Sequence, residues 1–192
     1  MERRTIWAGV AVLVLIAATG LLFMLRDGRQ FHGVVIDPPL PAGEIRLTDH
    51  NGRIFQLSDA RGKIVLVYFG YTNCPEECPI TMAKLRQAFD LLGDQSRVIQ
   101  VLLVTTDPAN DGPEQLKGYL ANFHPEFLGL YGTPEELQTV WSDYGVVVMD
   151  GGETHSTRTY VIDQNGDLAM TFPYEMEAAD MASDLRLLLR SR

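Results

Sequence analysis

Basic residues are scarce in this 192-residue chain, cysteine is nearly absent, and each shortage closes off a class of function. Lysine and arginine number 16 against 25 acidic residues, a formal charge of −9. Binding to nucleic acid needs a basic face for the phosphates, so that partner is excluded. The acidic surface fits solubility, and it is compatible with attracting cations or a basic partner. Only two cysteines occur, at positions 74 and 78. They are too few for a disulfide scaffold or a four-thiolate zinc site. A bridge closing so short a loop would restrict the unfolded chain little, so chemistry is the better reason for the pair. Internal repeats, low-complexity tracts and signs of a second domain are also missing.

One long hydrophobic run is present. From Ile6 to Leu25 there is no charged residue, and a helix of that length rises about 30 Å, the thickness of a bilayer's hydrocarbon core. We expect residues 1–29 to form a single transmembrane anchor. A cleaved signal peptide is the alternative, since Arg3 and Arg4 precede the run and Ala17, Ala18, Thr19 and Gly20 resemble a cleavage region. Leu21 to Leu25 carry the run further than a signal segment needs. Arg3 and Arg4 favour a cytoplasmic N-terminus, opposed modestly by Arg26 and Arg29. The remainder is then expected on the periplasmic side of a bacterial inner membrane. Taking four arginines and two acidic residues from 16 and 25 leaves 12 and 23, a charge of −11 over 163 residues. That length suits one domain with a proper core.

Residues 30–43 contain Pro38, Pro39 and Pro41 and predict an extended, semi-rigid linker. Residues 44–192 form the expected domain. Glu44 to Thr48 and Arg53 to Leu57 flank a polar turn and predict a hairpin. Ile64 to Phe69 and Val98 to Thr105 are apolar runs expected of buried strands. Ile80, Ala83, Leu85, Ala88, Phe89 and Leu92 mark an amphipathic helix between them. Pro113 to Phe123 predicts a helix, Phe127 to Leu130 a strand, and Thr133-Pro134 with Glu136 a capped helix start. Thr159 to Ile162 and Leu168 to Phe172 predict a second hairpin, followed by a helix to Arg190. Parallel strands joined by helices, with an N-terminal β-hairpin extension and a terminal antiparallel hairpin, give an α/β fold: a thioredoxin-like mixed sheet with helices on both faces.

The segment Gly70-Tyr71-Thr72-Asn73-Cys74-Pro75-Glu76-Glu77-Cys78-Pro79 falls where a buried parallel strand ends and a helix begins, the edge at which open α/β sheets place their sites. Pro79 cannot donate a hydrogen bond inside a helix, so the regular helix is expected to start near it, after a loose turn over 75–78. One turn puts both sulfurs on the same side, close enough to share a metal ion or form a disulfide. Glu76 and Glu77 either oppose a thiolate there or form a solvated face. The C-x-x-x-C spacing departs from the C-x-x-C of general disulfide oxidoreductases.

Of the four histidines, His32, His50 and His124 read as solvated loop residues. His155 precedes the strand that enters the terminal hairpin, and thioredoxin-like topology brings that loop beside the cysteine helix. Two soft sulfurs and one imidazole suit Cu(I), and such a set also holds Cu(II). A structural zinc site would want a fourth protein ligand.

With these residues in place the sequence resembles the Sco/SenC family of copper chaperones for cytochrome c oxidase assembly. The likeness covers Gly33 to Pro39, Phe69 to Pro79, Asp107-Pro108, Tyr131-Gly132-Thr133 and His155-Ser156. The resemblance implies a membrane-anchored metallochaperone that binds Cu(I) or Cu(II) through Cys74, Cys78 and His155. It further implies delivery to the CuA centre of cytochrome c oxidase subunit II after receipt from an upstream copper donor. Reduction of the target's cysteines by Cys74 and Cys78 as a redox-active pair is the alternative enzymatic reading. Peroxide reduction is a third, with no distinguishing feature here. Asp107 is expected either to line the site or to serve as a turn residue before Pro108. Two features depart from the family: a shorter loop between Tyr144 and His155, containing Gly151 and Gly152, and Asn110 where a basic residue is common.

Overall fold

The computed structural model describes residues 31–149, 152 and 157–190. The expected anchor over residues 1–29 lies outside them, and among the described residues no helix is long and apolar enough to cross a membrane.

Eight strands form one mixed sheet: β1 (Val34–Pro41), β2 (Arg46–Asp49), β3 (Ile54–Gln56), β4 (Ile64–Gly70), β5 (Ile99–Thr105), β6 (Leu128–Tyr131), β7 (Thr159–Ile162) and β8 (Asp167–Phe172), in the order β1-β8-β7-β4-β5-β6-β2-β3. Strands β4, β5 and β6 are parallel, and the others join antiparallel. Among the described residues four α-helices accompany the sheet: α1 (Glu77–Leu92), α2 (Pro113–Leu120), α3 (Pro134–Asp143) and α4 (Ala178–Arg190).

Alternation along β4 explains the layering, because successive side chains of a strand point to opposite faces. Ile64, Leu66 and Tyr68 join Met82, Leu85 and Phe89 of α1, Leu116 and Leu120 of α2, and Met181 and Leu185 of α4. Val65, Val67 and Phe69 join Leu137, Val140 and Trp141 of α3 on the other face. Every residue of β4 is buried, as its unbroken apolar run requires. The expected capping box is present on α3: Thr133 Oγ1 accepts from the Glu136 amide at 3.2 Å, and Glu136 Oε2 accepts from the Thr133 amide at 2.9 Å.

The proline-rich segment, expected to be an extended, semi-rigid linker, contributes a strand. Strand β1 pairs with β8 through Val34–Thr171, Val35–Met170, Leu40–Leu168 and Pro41–Asp167, with an irregularity between Val35 and Leu40. Just before it, the Asp184 carboxylate of α4, fully buried, accepts from the amides of His32 at 2.9 Å and Gly33 at 2.8 Å, and pairs with His32 Nδ1 at 2.9 Å. A spacer would leave these donors to water. Here they offset the cost of burying an acid.

Candidate metal centre

Strand β4 ends at Gly70, the chain turns through residues 71–76, and α1 begins at Glu77. The helix therefore starts two residues before Pro79. Pro79 sits in the first turn, where a backbone N–H would have no intrahelical acceptor, so its missing donor costs nothing. The N-cap residue, Glu76, makes no side-chain cap. Instead the Cys78 amide donates to Cys74 Sγ at 3.4 Å. The sulfur of Cys74 thus takes the place of a capping oxygen, and the C-x-x-x-C spacing is what lets it reach back over the open end of the helix.

The two thiols are free, with Cys74 half-buried and Cys78 3% exposed. Burial, then the hydrogen-bonded sulfur of Cys74, push the Cys78 thiol up to about 12, with partial relief from hydrogen bonds of the Tyr71 backbone and the Tyr68 hydroxyl. Glu76 and Glu77 are both exposed.

Beneath Cys78 lies Tyr68, whose hydroxyl donates to Cys78 Sγ at 3.6 Å. A Cβ on Gly70 would stand 2.8 Å from Tyr68 Cε1 and 2.9 Å from Cys78 Sγ. Only the absence of a side chain at position 70 lets ring and sulfur converge there. Burial, and then the nearby Cys78, raise the Tyr68 phenol above its ordinary range, so it remains a proton donor.

A second buried group, Asp111, was not singled out by sequence reasoning. It is 1% exposed, and its carboxylate accepts from the Thr72 amide at 3.1 Å, from Thr72 Oγ1 at 2.5 Å and from Thr105 Oγ1 at 2.8 Å. These bonds fasten the cysteine loop to the end of β5. Asp107, expected either to line the site or to serve as a turn residue, makes a turn contact: its carboxylate accepts from Asn110 Nδ2 at 2.8 Å. Asp107 also stands at the site's margin, because a Cβ on Gly152 would meet Asp107 Cβ at 2.7 Å and Tyr71 Cγ at 3.2 Å. With φ of +83° as well, position 152 admits glycine and little else. The Gly152 carbonyl accepts from Thr106 Oγ1 at 2.6 Å.

His155 lies outside the described residues. Among those described, no group of three or more histidine, cysteine or acidic side chains is arranged to hold a metal ion. The other three histidines, read as solvated loop residues, also have structural partners: His32 is exposed, and His50 and His124 are half-buried. His32 is bound to Asp184, and His50 Nδ1 accepts from the Gly129 amide at 3.0 Å. The His124 ring packs at 4.8 Å from that of Phe89.

Fold and site together define a thioredoxin-like domain with two thiols gathered at the start of its first helix. The family model described as SCO1/SenC matches residues 37–190. A SCO2-like protein of Rickettsia prowazekii is 34% identical over 189 residues, 90% of this chain and 92% of that one. Among solved structures, ScoI of Bradyrhizobium japonicum with copper bound is 30% identical, with a TM-score of 0.69 over 77% of this chain and 99% of that one. Apo Sco1 of Thermus thermophilus is 31% identical, with a TM-score of 0.74 over 85% and 99%. The chain belongs to the SCO1/SenC family.

Proposed function

We propose that this chain is a membrane-anchored metallochaperone that binds copper through Cys74, Cys78 and His155 and delivers it to the CuA centre of cytochrome c oxidase subunit II. Its domain would lie on the periplasmic side of a bacterial inner membrane. The observation that carries the reading is the sulfur pair, with the Cys78 amide on Cys74 Sγ and one sulfur half-exposed for arrival and departure of the ion. Thiolates favour a soft metal such as Cu(I). The copper-bound relative supports that cargo. Support for His155 comes from the fixed residues on either side of it. Gly152 packs on Tyr71 and Asp107, Thr159 pairs with Tyr68, and three residues span at most about 11 Å.

The test is titration of the full chain in mild detergent with Cu(I) and Cu(II), beside His155→Ala and Cys78→Ser. One ion per chain is expected for wild type, with affinity down at least tenfold in each variant. Wild type that binds neither ion stoichiometrically overturns the chaperone reading. A His155→Ala variant that binds as tightly as wild type removes His155 from the ligand set.

The difference in burial between the thiols favours a second activity. Half-exposed Cys74 can attack a partner disulfide, and buried Cys78 can then resolve the mixed disulfide, leaving a Cys74–Cys78 bond and a reduced partner. Reduction of an oxidised CuA-site protein, lost in Cys74→Ser, checks it.

A further inference from the structure

Each sulfur of the pair has a protein donor of its own. Cys74 Sγ receives the Cys78 amide, which the helix start supplies to any sequence. Cys78 Sγ receives the Tyr71 backbone and, beside it, the Tyr68 hydroxyl, the one of the two that depends on a side chain. Tyr68 is 2% exposed in the centre of the core that includes Cys78 and Met82, and Gly70 brings its ring edge and the sulfur to the same point. An aromatic in a buried strand would fill that space equally well as phenylalanine. What the hydroxyl adds is a hydrogen bond aimed at a sulfur.

We propose that Tyr68 is a positioning residue that sets the reduction potential of the Cys74/Cys78 pair and, where copper is carried as read above, of the bound ion. A thiol or thiolate sulfur accepts a hydrogen bond better than a disulfide sulfur. The Tyr68 bond therefore stabilises the reduced pair over the Cys74–Cys78 disulfide. Hydrogen bonds to a ligating sulfur also withdraw electron density from it, which favours Cu(I) over Cu(II). Tyr68 thus biases both couples toward the reduced side without touching the ion.

The experiment uses the metal-free full chain equilibrated in glutathione buffers. There the Cys74–Cys78 bond breaks as two glutathione thiols supply two electrons and two protons and leave as glutathione disulfide. Tyr68→Phe deletes only the hydroxyl. A neutral hydrogen bond contributes about 1 kcal/mol, so the equilibrium is expected to move roughly fivefold toward the disulfide, about 20 mV more negative for a two-electron couple. Tyr160→Phe deletes another buried hydroxyl, one that donates to the Tyr144 carbonyl on the other face of the sheet. Its potential should stay at the wild-type value. Should Tyr68→Phe fold poorly, 3-fluorotyrosine at position 68, a stronger donor, is expected to move the potential the opposite way. An unchanged potential in the position-68 variants, or an equal shift in Tyr160→Phe, overturns the proposal. Because no copper is present, this outcome is separate from that of the titration. A chain that binds no copper yet shifts its potential loses the chaperone reading and keeps this one.

Discussion

Asp111 holds the cysteine loop from beneath, and its three donors have no other acceptor in reach among the hydrogen bonds of the described residues. Removing the carboxylate leaves the buried Thr105 hydroxyl without its acceptor, while water replaces part of what the half-exposed Thr72 amide and hydroxyl lose; a buried polar group left unpaired costs about 1–3 kcal/mol. Asp111→Ala is therefore expected to lower stability by roughly 3 kcal/mol in urea, near the upper end of ordinary single substitutions. Thr72→Val keeps the amide bond and loses one hydroxyl, so about 1 kcal/mol is expected. Equal losses in the two variants would mean that the carboxylate acts through something other than these bonds. The cysteine pair itself was legible from sequence because spacing and a neighbouring strand suffice to place it. Asp111 was not, because an aspartate before glycine in a loop looks like any turn residue until Thr72, 39 positions earlier, is folded against it.

At the level of elements, the same distinction separates β1 from the rest. Strands β4 and β5, both hairpins and the helices announce themselves through local periodicity and turn chemistry. Strand β1 carries three prolines, which spoil the alternation by which strands are recognised, and its partner β8 lies 137 residues away in the Val34–Thr171 pair. Its docking depends on α4, through Asp184, and on His32, which is 48% exposed and also stands 3.5 Å from Asp180. The hydrogen bond to Asp184 raises the His32 pKa above its ordinary 6.5, and the charges of Asp180 and Asp184 add to it. A histidine raised on folding contributes stability that is fully present below the unfolded pKa and is lost as pH climbs through the raised folded value. Thermal unfolding should therefore show a falling contribution as pH rises from about 6.5. His32→Gln is expected to flatten that dependence, and the protection of the Val34 and Val35 amides, taken relative to their intrinsic base-catalysed exchange at each pH, should fall with pH in wild type only. A wild-type profile that rises over this window would overturn the assignment.

Taken whole, the sheet has two edges, and both resist extension by another chain. Strand β3 has three residues, and Pro38, Pro39 and Pro41 remove donors from β1. An α/β domain of this kind meets partners at the carboxyl ends of its parallel strands, where the cysteines are. On the proposed topology residues 1–29 decide which compartment the thiols reach, and their flanking charges, Arg3 and Arg4 before the run against Arg26 and Arg29 after it, partly balance. The burial difference between the thiols offers a direct reading. Half-exposed Cys74 should react with a membrane-impermeant maleimide, and Cys78, at 3% exposure, should not. Spheroplasts expressing the full chain are expected to label to about one maleimide per chain without lysis, since only one thiol is open. On the proposed topology residues 1–29 export the domain, so deleting them should abolish labelling until the cells are lysed. The mass of the labelled chain then separates anchor from signal peptide: an intact N-terminus in the membrane fraction means retention, and a chain shortened after the small residues at 17–20 means cleavage. Labelling of the full chain only after lysis would place the thiols in the cytoplasm and remove the CuA centre from their reach.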